Sequence, residues 1–285
     1  MGKGVELSIV GAGRCGRTLG RLARRAGWRI GAVTCRTLSH AREAAAFIGA
    51  GRPSTKPEGA ALTLIAVPDG EIEAVARALR MPRGGVAAHT CAAFGAEALR
   101  PLRPAGALHP LRSFVDAGKA AASFAGTPCA VDGDAAAMKR LLPFVRAIGG
   151  TPLRVKAGRK PLYHAGAVFA SNYLVTVLEA GLRLLEEAGV KRAAALRALT
   201  QLAEGTLANV HAVGIPEALT GPIERGDAAT LKRHVASILE RSPLLYPLYA
   251  LLGAQTAEMA ATKGSLRGRG LEKVQSALLP PGVVR

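Results

Sequence analysis

A glycine-rich segment, GAGRCG at residues 11–16, directly follows the apolar run LSIV and opens a helical pattern. The pattern G-x-G-x-x-G alone is a weak signal, but strand, turn and helix in this order indicate a dinucleotide-binding βαβ unit. Gly11 permits the tight turn, Gly13 lets the backbone approach a pyrophosphate, and Gly16 lets the helix pack closely on the strand. The segment therefore predicts that a cofactor's phosphates bind at the helix N-terminus, against Gly11, Gly13, Arg14, Cys15 and Gly16.

The end of the second predicted strand discriminates between nicotinamide cofactors. NAD-binding domains usually place an acidic residue there, about 20 residues after the first glycine, to bind the ribose 2′-hydroxyl. This region reads AVTCRTLSHAR, with no acid before Glu43. Arg36 and Thr37 instead offer a guanidinium and a hydroxyl to a 2′-phosphate. NADP(H) is therefore the expected cofactor.

Two further strand ends carry residues that should lie at the same edge of the sheet. LTLIAVP ends at Ala66, Val67 and Pro68, and GVAAHT ends at Thr90. In a doubly wound sheet the ligand lies outside the carboxyl ends of the strands. We expect these four residues to flank the diphosphate and the nicotinamide ribose.

The segment GALHPLRSF is expected to be turn-rich and free of strand. It contains His109, Arg112 and Ser113, and a polar cluster in a loop is easier to explain by ligand binding than by packing. These three residues are candidate substrate ligands, with a solvated loop histidine as the alternative for His109.

The run KPLYHAGAVFASNYLVTVLEAGLRLLEEAG at 160–189 predicts a largely apolar helix that keeps His164, Ser171 and Asn172 in its first turns. With 3.6 residues per turn, Ser171 lies about 20° and Asn172 about 80° from His164 in projection. They can frame a small molecule laid along the helix, with His164 exchanging a proton near neutral pH. All three are therefore candidate catalytic residues, and a helix with satisfied structural polar groups is the alternative.

The segment TGPIERGD is typical of a turn between helices. Asp227 is explained as the N-cap of the helix that follows, whereas Arg225 is a candidate ligand for an anionic substrate.

The arrangement of these segments predicts two domains. The first half alternates short apolar runs with helical patterns, which is typical of βαβ units and a parallel sheet. From Pro161 onward helical patterns alone are evident, at 161–188, 190–209, 228–241, 243–262 and 270–278. The expected fold is α/β: a Rossmann-like doubly wound parallel sheet at 1–153, followed by an all-helical domain at 154–285.

The composition of the chain bears on whether it binds nucleic acid. The chain has 285 residues and a formal charge of +18, with 28 arginines against 10 lysines. The arginines are scattered and aromatic residues make up 4%, which is unfavourable for base stacking. A GC-rich genome explains this composition without a nucleic-acid partner.

The cysteines and the N-terminal sequence favour a cytoplasmic, metal-free protein. The four cysteines form no C-x-x-C pair and show no metal-ligand spacing with histidine, and the N-terminal segment lacks a signal-peptide pattern. The apolar stretch 162–182 contains too many polar residues for a membrane span.

Five segments carry a family resemblance: GAGRCG (11–16), VPDGEIEAVA (67–76), LHPLRSF (108–114), LYHAGAVFASNY (162–173) and LTGPIERGDAATLKRH (219–234). The sequence resembles Rossmann-like oxidoreductases that carry a C-terminal helical domain of unknown function. They lie within the superfamily of 6-phosphogluconate dehydrogenase, ketopantoate reductase and prephenate dehydrogenase. Many members read H-x-S-G where this chain has His89-Thr90-Cys91-Ala92.

This resemblance implies a reaction. In ketopantoate reductase and hydroxyacid dehydrogenases the first long helix after the sheet carries a catalytic lysine, and here His164 stands at the expected place, with Asn172 matching a later asparagine. The resemblance implies NADP(H)-dependent reduction of a small oxo acid, as in ketopantoate reductase. A prephenate-dehydrogenase-like oxidation and a non-catalytic NADP-sensing or partner-binding protein are the alternatives. It also implies a homodimer through the helical domain, for which LLYPLYALLG (244–253) offers an apolar surface.

Overall fold

An eight-stranded sheet organises the first part of the chain. Its strands are β1 (Glu6–Val10), β2 (Arg29–Thr34), β3 (Arg52–Ser54), β4 (Leu62–Ile65), β5 (Val86–His89), β6 (Ala105–Pro110), β7 (Pro128–Gly133) and β8 (Thr151–Arg154). They lie in the order β3-β2-β1-β4-β5-β6-β7-β8. β7 runs antiparallel to β6, and all other neighbours are parallel. The predicted α/β fold with a Rossmann-like sheet is confirmed.

The structure is a computed structural model that describes residues 4–156 and 158–281. The chain divides into two compact units, Met1–Ser171 and Asn172–Arg285. The domain boundary predicted between residues 153 and 154 lies at the end of the last strand, whereas this division falls within the helical segment that follows.

Helices cover the sheet of the first unit: α1 (Arg14–Arg25), α2 (Leu38–Ile48), α3 (Ile72–Ala78), α4 (Ala117–Ala122) and α5 (Ala135–Ala147). One buried cluster packs α1, α2 and α5 against the strands, and Trp28 meets Phe144 edge to face at 5.0 Å within it. A second cluster packs α3 against the strands. Because β1, β4 and β5 are almost wholly buried, apolar residues predominate in their sequences.

The parallel strands bring their carboxyl ends to one edge of the sheet. Val10 pairs with Ile65, and Ile65 pairs with His89. The loops that follow β1, β4, β5 and β6 therefore all leave from this edge, which is where a doubly wound sheet binds its ligands.

The expectation that GALHPLRSF contains no strand is wrong. β6 spans Ala105–Pro110 and pairs with both β5 and β7. Alanine and glycine have low strand propensity, but burial between two neighbouring strands outweighs that propensity here. His109 is consequently held on a strand rather than on a loop.

The helices of the C-terminal half are α6 (Lys160–Val168), α7 (Leu174–Glu187), α8 (Arg192–Val213), α9 (Ala228–Arg241), α10 (Tyr246–Lys263) and α11 (Arg269–Ala277). A π turn at Phe169–Tyr173 links α6 to α7, and a 3-10 turn at Pro243–Leu245 precedes α10. These bounds match the five predicted helical stretches to within a few residues, and the π turn was not predicted. As predicted, Asp227 caps α9, its side chain accepting a hydrogen bond from the Thr230 amide at 3.0 Å.

The second unit contains two separate packing arrangements. α9, α10 and α11 share a buried core built on Leu231, Ala257 and Val274. α7 packs against α8, where Gly181 lies close to Leu199.

One described helix, Lys160–Glu187, is long and apolar enough to cross a membrane by length and composition alone. Its mean hydropathy is 1.3, and 6% of its most apolar window is buried. A single such helix is weak evidence for a membrane span, and cytoplasmic location stays a prediction.

The Trp28–Phe144 contact supplies a test of this core. Phe144 is fully buried, so Phe144→Ala should lower the free energy of unfolding by about 3–5 kcal/mol, through lost apolar burial and the cavity left behind. Phe94 is 45% exposed, and Phe94→Ala should change stability by less than about 0.5 kcal/mol. Thermal and urea unfolding of both variants measure the difference, and equal losses would contradict this packing.

Candidate functional site

The turn after β1 can be built only from glycine at two positions. Gly11 has φ of +85°, and a Cβ there would lie 2.6 Å from the Ala66 carbonyl oxygen. A Cβ at Gly16 would lie 2.5 Å from the Gly11 carbonyl oxygen. Since both obstacles are backbone atoms, a larger residue would force β1, α1 and β4 apart. The predicted roles of these glycines in close packing thus have a direct physical cause.

Gly13 serves a different purpose from its neighbours. It is the N-cap of α1, and a Cβ there would meet no atom within 4 Å. Its missing side chain therefore leaves open space in front of the first amides of the helix. Those amides have no partner within the helix and favour an anion. Arg14 follows, exposed, with its Nη1 donating to the Val115 carbonyl at 3.4 Å.

A cavity of about 480 Å³ lies over this turn. It brings together six of the predicted cofactor residues: Gly11, Gly13, Arg36, Ala66, Val67 and Pro68. Arg17 and His40 also line it and were not predicted. Both could have been found from the sequence, because each lies within four residues of a predicted ligand.

The end of this cavity beside Arg36 is lined by both positively and negatively charged side chains. Arg36 is 87% exposed, with Nη1 4.0 Å from an oxygen of Glu71. Arg17 donates through Nε to the Ala12 carbonyl at 3.2 Å and lies over the Phe47 ring. Glu43 also lines the cavity. An exposed arginine held by one long ion pair can release it to bind a phosphate.

Thr37 caps a helix, and its predicted role as a cofactor ligand stays a prediction. Its hydroxyl caps α2 by accepting a hydrogen bond from the His40 amide at 3.3 Å. The turn that carries Arg36 is therefore fixed by the start of α2.

Cys15 and Thr90 meet where the glycine turn approaches the end of β5. Burial raises the pKa of the Cys15 thiol to about 12, although a hydrogen bond from Thr90 opposes the shift. The Thr90 amide in turn donates to the Ile65 carbonyl at 3.0 Å. A protonated thiol is unreactive, so the half-buried Cys15 fits a packing role beside the glycine turn.

A polar cluster lies at the carboxyl end of β6. His109 Nδ1 is 2.8 Å from the Tyr163 hydroxyl, and the two rings meet edge to face. The pKa of His109 is lowered to about 4, chiefly by burial, and the nearby Lys160 and His164 contribute to the shift in the same direction. Burial raises the pKa of Tyr163 to about 12. At neutral pH the pair is therefore a neutral imidazole and a neutral phenol.

Lys160 is the unusual member of this cluster. The residue is 4% exposed, and its Nζ has no hydrogen-bond partner among the described residues. Nζ lies 5.9 Å from the centre of the Tyr163 ring, and burial lowers its pKa. It lines a cavity of about 570 Å³ together with Glu97 and Asp132. A buried ammonium group without a partner is costly, which is typical of a residue that waits for a ligand.

Sequence reasoning misses Lys160 and Tyr163. They precede His164 by four residues and one residue, so all three lie on one face of α6. The spacing K-x-x-Y-H was visible in the sequence. A lysine at a helix start is usually solvated, however, and its burial depends on β5–β7 and their loops.

His89 has both ring nitrogens occupied. Its Nε2 lies 2.8 Å from the Gly95 carbonyl, and its Nδ1 accepts from the Cys91 amide at 3.2 Å. These bonds require the proton on Nε2. Burial lowers the pKa of this imidazole, which suits a structural histidine that shapes the loop after β5.

Ser171 and Asn172 are exposed within the π turn. Because a π turn contains more residues than an α-helical turn, the angles predicted from a regular helix do not apply. π turns inside α-helices are frequent at functional sites, and the catalytic roles of both residues stay predictions.

The remaining predicted substrate ligands differ in whether neighbouring groups already hydrogen-bond to them. Arg112 donates through Nη1 to the Ser123 carbonyl at 2.5 Å and to the Thr127 hydroxyl at 3.4 Å. These contacts and one from Nη2 to the Ser123 hydroxyl engage both Nη atoms, whereas the buried Nε has no hydrogen-bond partner among the described residues. Ser113 and Arg225 are exposed, and their substrate roles stay predictions.

The buried imidazole of His109 makes stability depend on pH. The unfolded chain protonates His109 below pH 6.5, whereas the native state resists protonation down to about pH 4. The unfolded state thus binds more protons in this window, so the free energy of unfolding should fall as the pH falls. In urea unfolding at several pH values, His109→Gln should reduce this slope. His211→Gln, at an exposed site on α8, should leave it unchanged, and an unaltered slope in His109→Gln would contradict the shift.

Solved structures with this fold include several nicotinamide enzymes. Protein TM1727 from Thermotoga maritima is 24% identical, with a TM-score of 0.71 over 88% of this chain and 98% of its own. BF3122 from Bacteroides fragilis, described as a candidate NADP oxidoreductase, is 20% identical, with a TM-score of 0.73 over 90% and 98%. A reductive aminase from Aspergillus terreus, solved with NADPH, is 16% identical, with a TM-score of 0.64 over 97% and 99%. At these identities the likeness establishes a shared fold.

No curated protein has a significant sequence match to this chain. Two domain families do match, in the order that the sequence segments indicated. The Rossmann-like domain matches residues 3–112, and the domain of unknown function DUF2520 matches residues 127–256. The chain therefore carries a Rossmann-like domain followed by a DUF2520 domain.

Proposed function

We propose that this protein is an NADP(H)-dependent oxidoreductase that reduces a small oxo acid. The observation that carries the proposal is the position of two features at one edge of the sheet. A nucleotide-sized cavity covers the glycine turn after β1, and the His109–Tyr163–Lys160 cluster follows β6. Neighbours of the same fold include NADP oxidoreductases.

The residues around the first cavity fit a dinucleotide. The amides of α1 in front of Gly13 would hold the pyrophosphate, and Ala66 to Pro68 would flank it. Arg36 and Arg17 would bind a ribose 2′-phosphate, which a carboxylate could not do. The bound nicotinamide would supply or accept the hydride.

Lys160 would bind the substrate's carboxylate. Its buried ammonium has no hydrogen-bond partner among the described residues, and a substrate carboxylate would supply one in surroundings where ion pairing is strong. The substrate's carboxylate would thereby stay paired with a positive charge while its carbonyl group is reduced. Glu97 and Asp132, which line the same cavity, would reject substrates with a second anionic group.

The proton would come from the same face of α6. His164 lies one turn after Lys160 and close enough to His109 to influence its pKa. It would donate a proton to the carbonyl oxygen as the hydride arrives. Tyr163, held by His109 at 2.8 Å, would position that oxygen through its protonated hydroxyl.

Cofactor preference is tested by removing the exposed arginine. Arg36→Ala should raise the dissociation constant of NADPH about 10- to 100-fold, which corresponds to the loss of one or two hydrogen bonds to a charged group. NADH binding should change less than about threefold, because NADH lacks the phosphate. Arg42→Ala, at an exposed α2 position outside the cavity, should change neither. Fluorescence titration measures all four constants, and a loss confined to NADH would reverse the assignment.

Turnover tests the reaction itself. With NADPH and a panel of 2-oxo acids, His164→Gln should lower kcat about 10²- to 10⁴-fold. Lys160→Met should chiefly raise KM for the acid, while leaving NADPH binding intact. His211→Gln serves as the matched control. If the protein binds NADPH tightly, oxidises none with any acid, and responds to neither variant, it is a non-catalytic NADP-binding protein.

A further inference from the structure

Two carboxylates lie side by side in the cavity that Lys160 lines. A Cβ on Gly95 would overlap Oε2 of Glu97 and would lie 2.7 Å from Oδ2 of Asp132, so both oxygens approach the same bare Cα. All four residues line this cavity of about 570 Å³. Because two ionised carboxylates at such a distance repel one another, the pair favours a positive charge beside it.

The described residues supply no cation to this pair. Among the residues that the structure describes, neither Glu97 nor Asp132 forms an ion pair. Arg103 lines the cavity as well, but its Nη1 lies 3.6 Å from Asp134, whose charge it balances. The two carboxylates are therefore left as an excess of negative charge that a ligand can match.

Backbone hydrogen bonds hold both carboxylates in place and leave them able to accept more. Oε1 of Glu97 accepts from the Gly95 amide at 3.0 Å, and Oδ2 of Asp132 accepts from the Ala96 amide at 3.4 Å. A carboxylate can accept about four hydrogen bonds, so each keeps acceptor sites for the N–H groups of a ligand. Groups that are fixed before a ligand arrives cost less to order on binding.

Lys160 supplies an anchor of the opposite sign. Its Nζ has no hydrogen-bond partner among the described residues, so neither carboxylate reaches it, although both oppose the lowering of its pKa by burial. A ligand with a carboxylate alone would pair with Lys160 and add negative charge beside the two carboxylates. A ligand that also carries a cation would match both groups, and this difference gives the cavity a basis for selection.

We propose that the substrate is an oxo acid that also carries an amine, whose ammonium group binds to Glu97 and Asp132 while the carboxylate binds to Lys160. The inference rests on the proposed function for the place of the carboxylate and adds the charge of the substrate's other end. Hydrogen bonds between ammonium and carboxylate groups are about twice as strong as neutral ones. The ammonium takes no part in hydride or proton transfer. A metal ion suits the pair less well, because the described residues contain no group of three His, Cys, Asp or Glu side chains that could hold one.

Matched hydroxy acids, the products of the proposed reduction, test this charge preference. The acids 4-amino-2-hydroxybutanoate, 2-hydroxypentanoate and 2-hydroxypentanedioate have chains of one length that end in an ammonium, a methyl and a carboxylate group. In calorimetric titrations with NADP⁺ present, the ammonium acid should bind at least about 10-fold tighter than the methyl acid, as hydrogen bonds between charged groups are expected to give. The dicarboxylate should bind more weakly than the methyl acid. The acids 3-amino-2-hydroxypropanoate and 2-hydroxybutanoate repeat the first comparison with a shorter chain.

The paired substitution Glu97→Gln/Asp132→Asn removes both charges. Each new amide keeps a carbonyl oxygen that can accept the bond from the backbone, so the fold should be retained. The preference for the ammonium acid should fall below about threefold, the methyl acid should bind as before, and the dicarboxylate should bind more tightly than it does to the wild type. Glu73→Gln, at an exposed site on α3 outside the cavity, should leave the preference unchanged.

Equal affinity for the ammonium and methyl acids at both chain lengths would overturn the inference, as would the absence of binding by all of these acids or a preference that survives the paired substitution. If the paired substitution weakens all the acids equally, the carboxylates only support the loop after β5, and the inference is wrong. These binding measurements do not depend on turnover. A wild type that prefers the ammonium acid but transfers no hydride from it to NADP⁺ would refute the oxidoreductase proposal and leave this inference standing. A wild type that oxidises the methyl and ammonium acids with equal efficiency would do the reverse.

Discussion

The close approach of two backbone segments determines the rest of the nucleotide site. The turn after β1 lies so near Ala66 at the end of β4 that Gly11 has no room for a Cβ, and α1 lies so near Gly11 that Gly16 has none. Together these contacts set where the helix begins and direct its free amides toward the cavity. The order of the strands then places Arg36 at this cavity, because β2 lies beside β1 and Arg36 comes just after the end of β2.

The second part of the site rests on burial rather than on backbone contact. Lys160 is buried and Tyr163 and His109 are half-buried, and burial is the largest cause of each pKa shift. Burial keeps the imidazole and the phenol neutral, while the ammonium remains the one member that a carboxylate can satisfy. A cluster with two satisfied groups and one unsatisfied group is organised before any ligand arrives, which reduces the cost of binding.

Much of the fold could be predicted from the sequence, because its signals are local. The strand–glycine–helix pattern identified β1 and α1, and turn chemistry identified the Asp227 cap. β6 was missed because Ala105 to Leu108 become a strand only between two neighbours that lie far apart in sequence. Lys160 was missed for a related reason, since its burial depends on loops after β5 and β7. Prediction from the local sequence thus failed where contacts with residues distant in sequence determine strand pairing or burial.

One segment carries chemistry at its start and an exposed apolar face at its end. Lys160 to Glu187 run as one helix with a π turn between α6 and α7, so Lys160 and Val175 lie on the same continuous element. The π turn at Phe169–Tyr173 contains more residues than an α-helical turn, so the side chains before it and after it do not follow one period of 3.6 residues. The angles that a regular helix would give between His164, Ser171 and Asn172 therefore do not hold, and the sequence pattern alone could not show this.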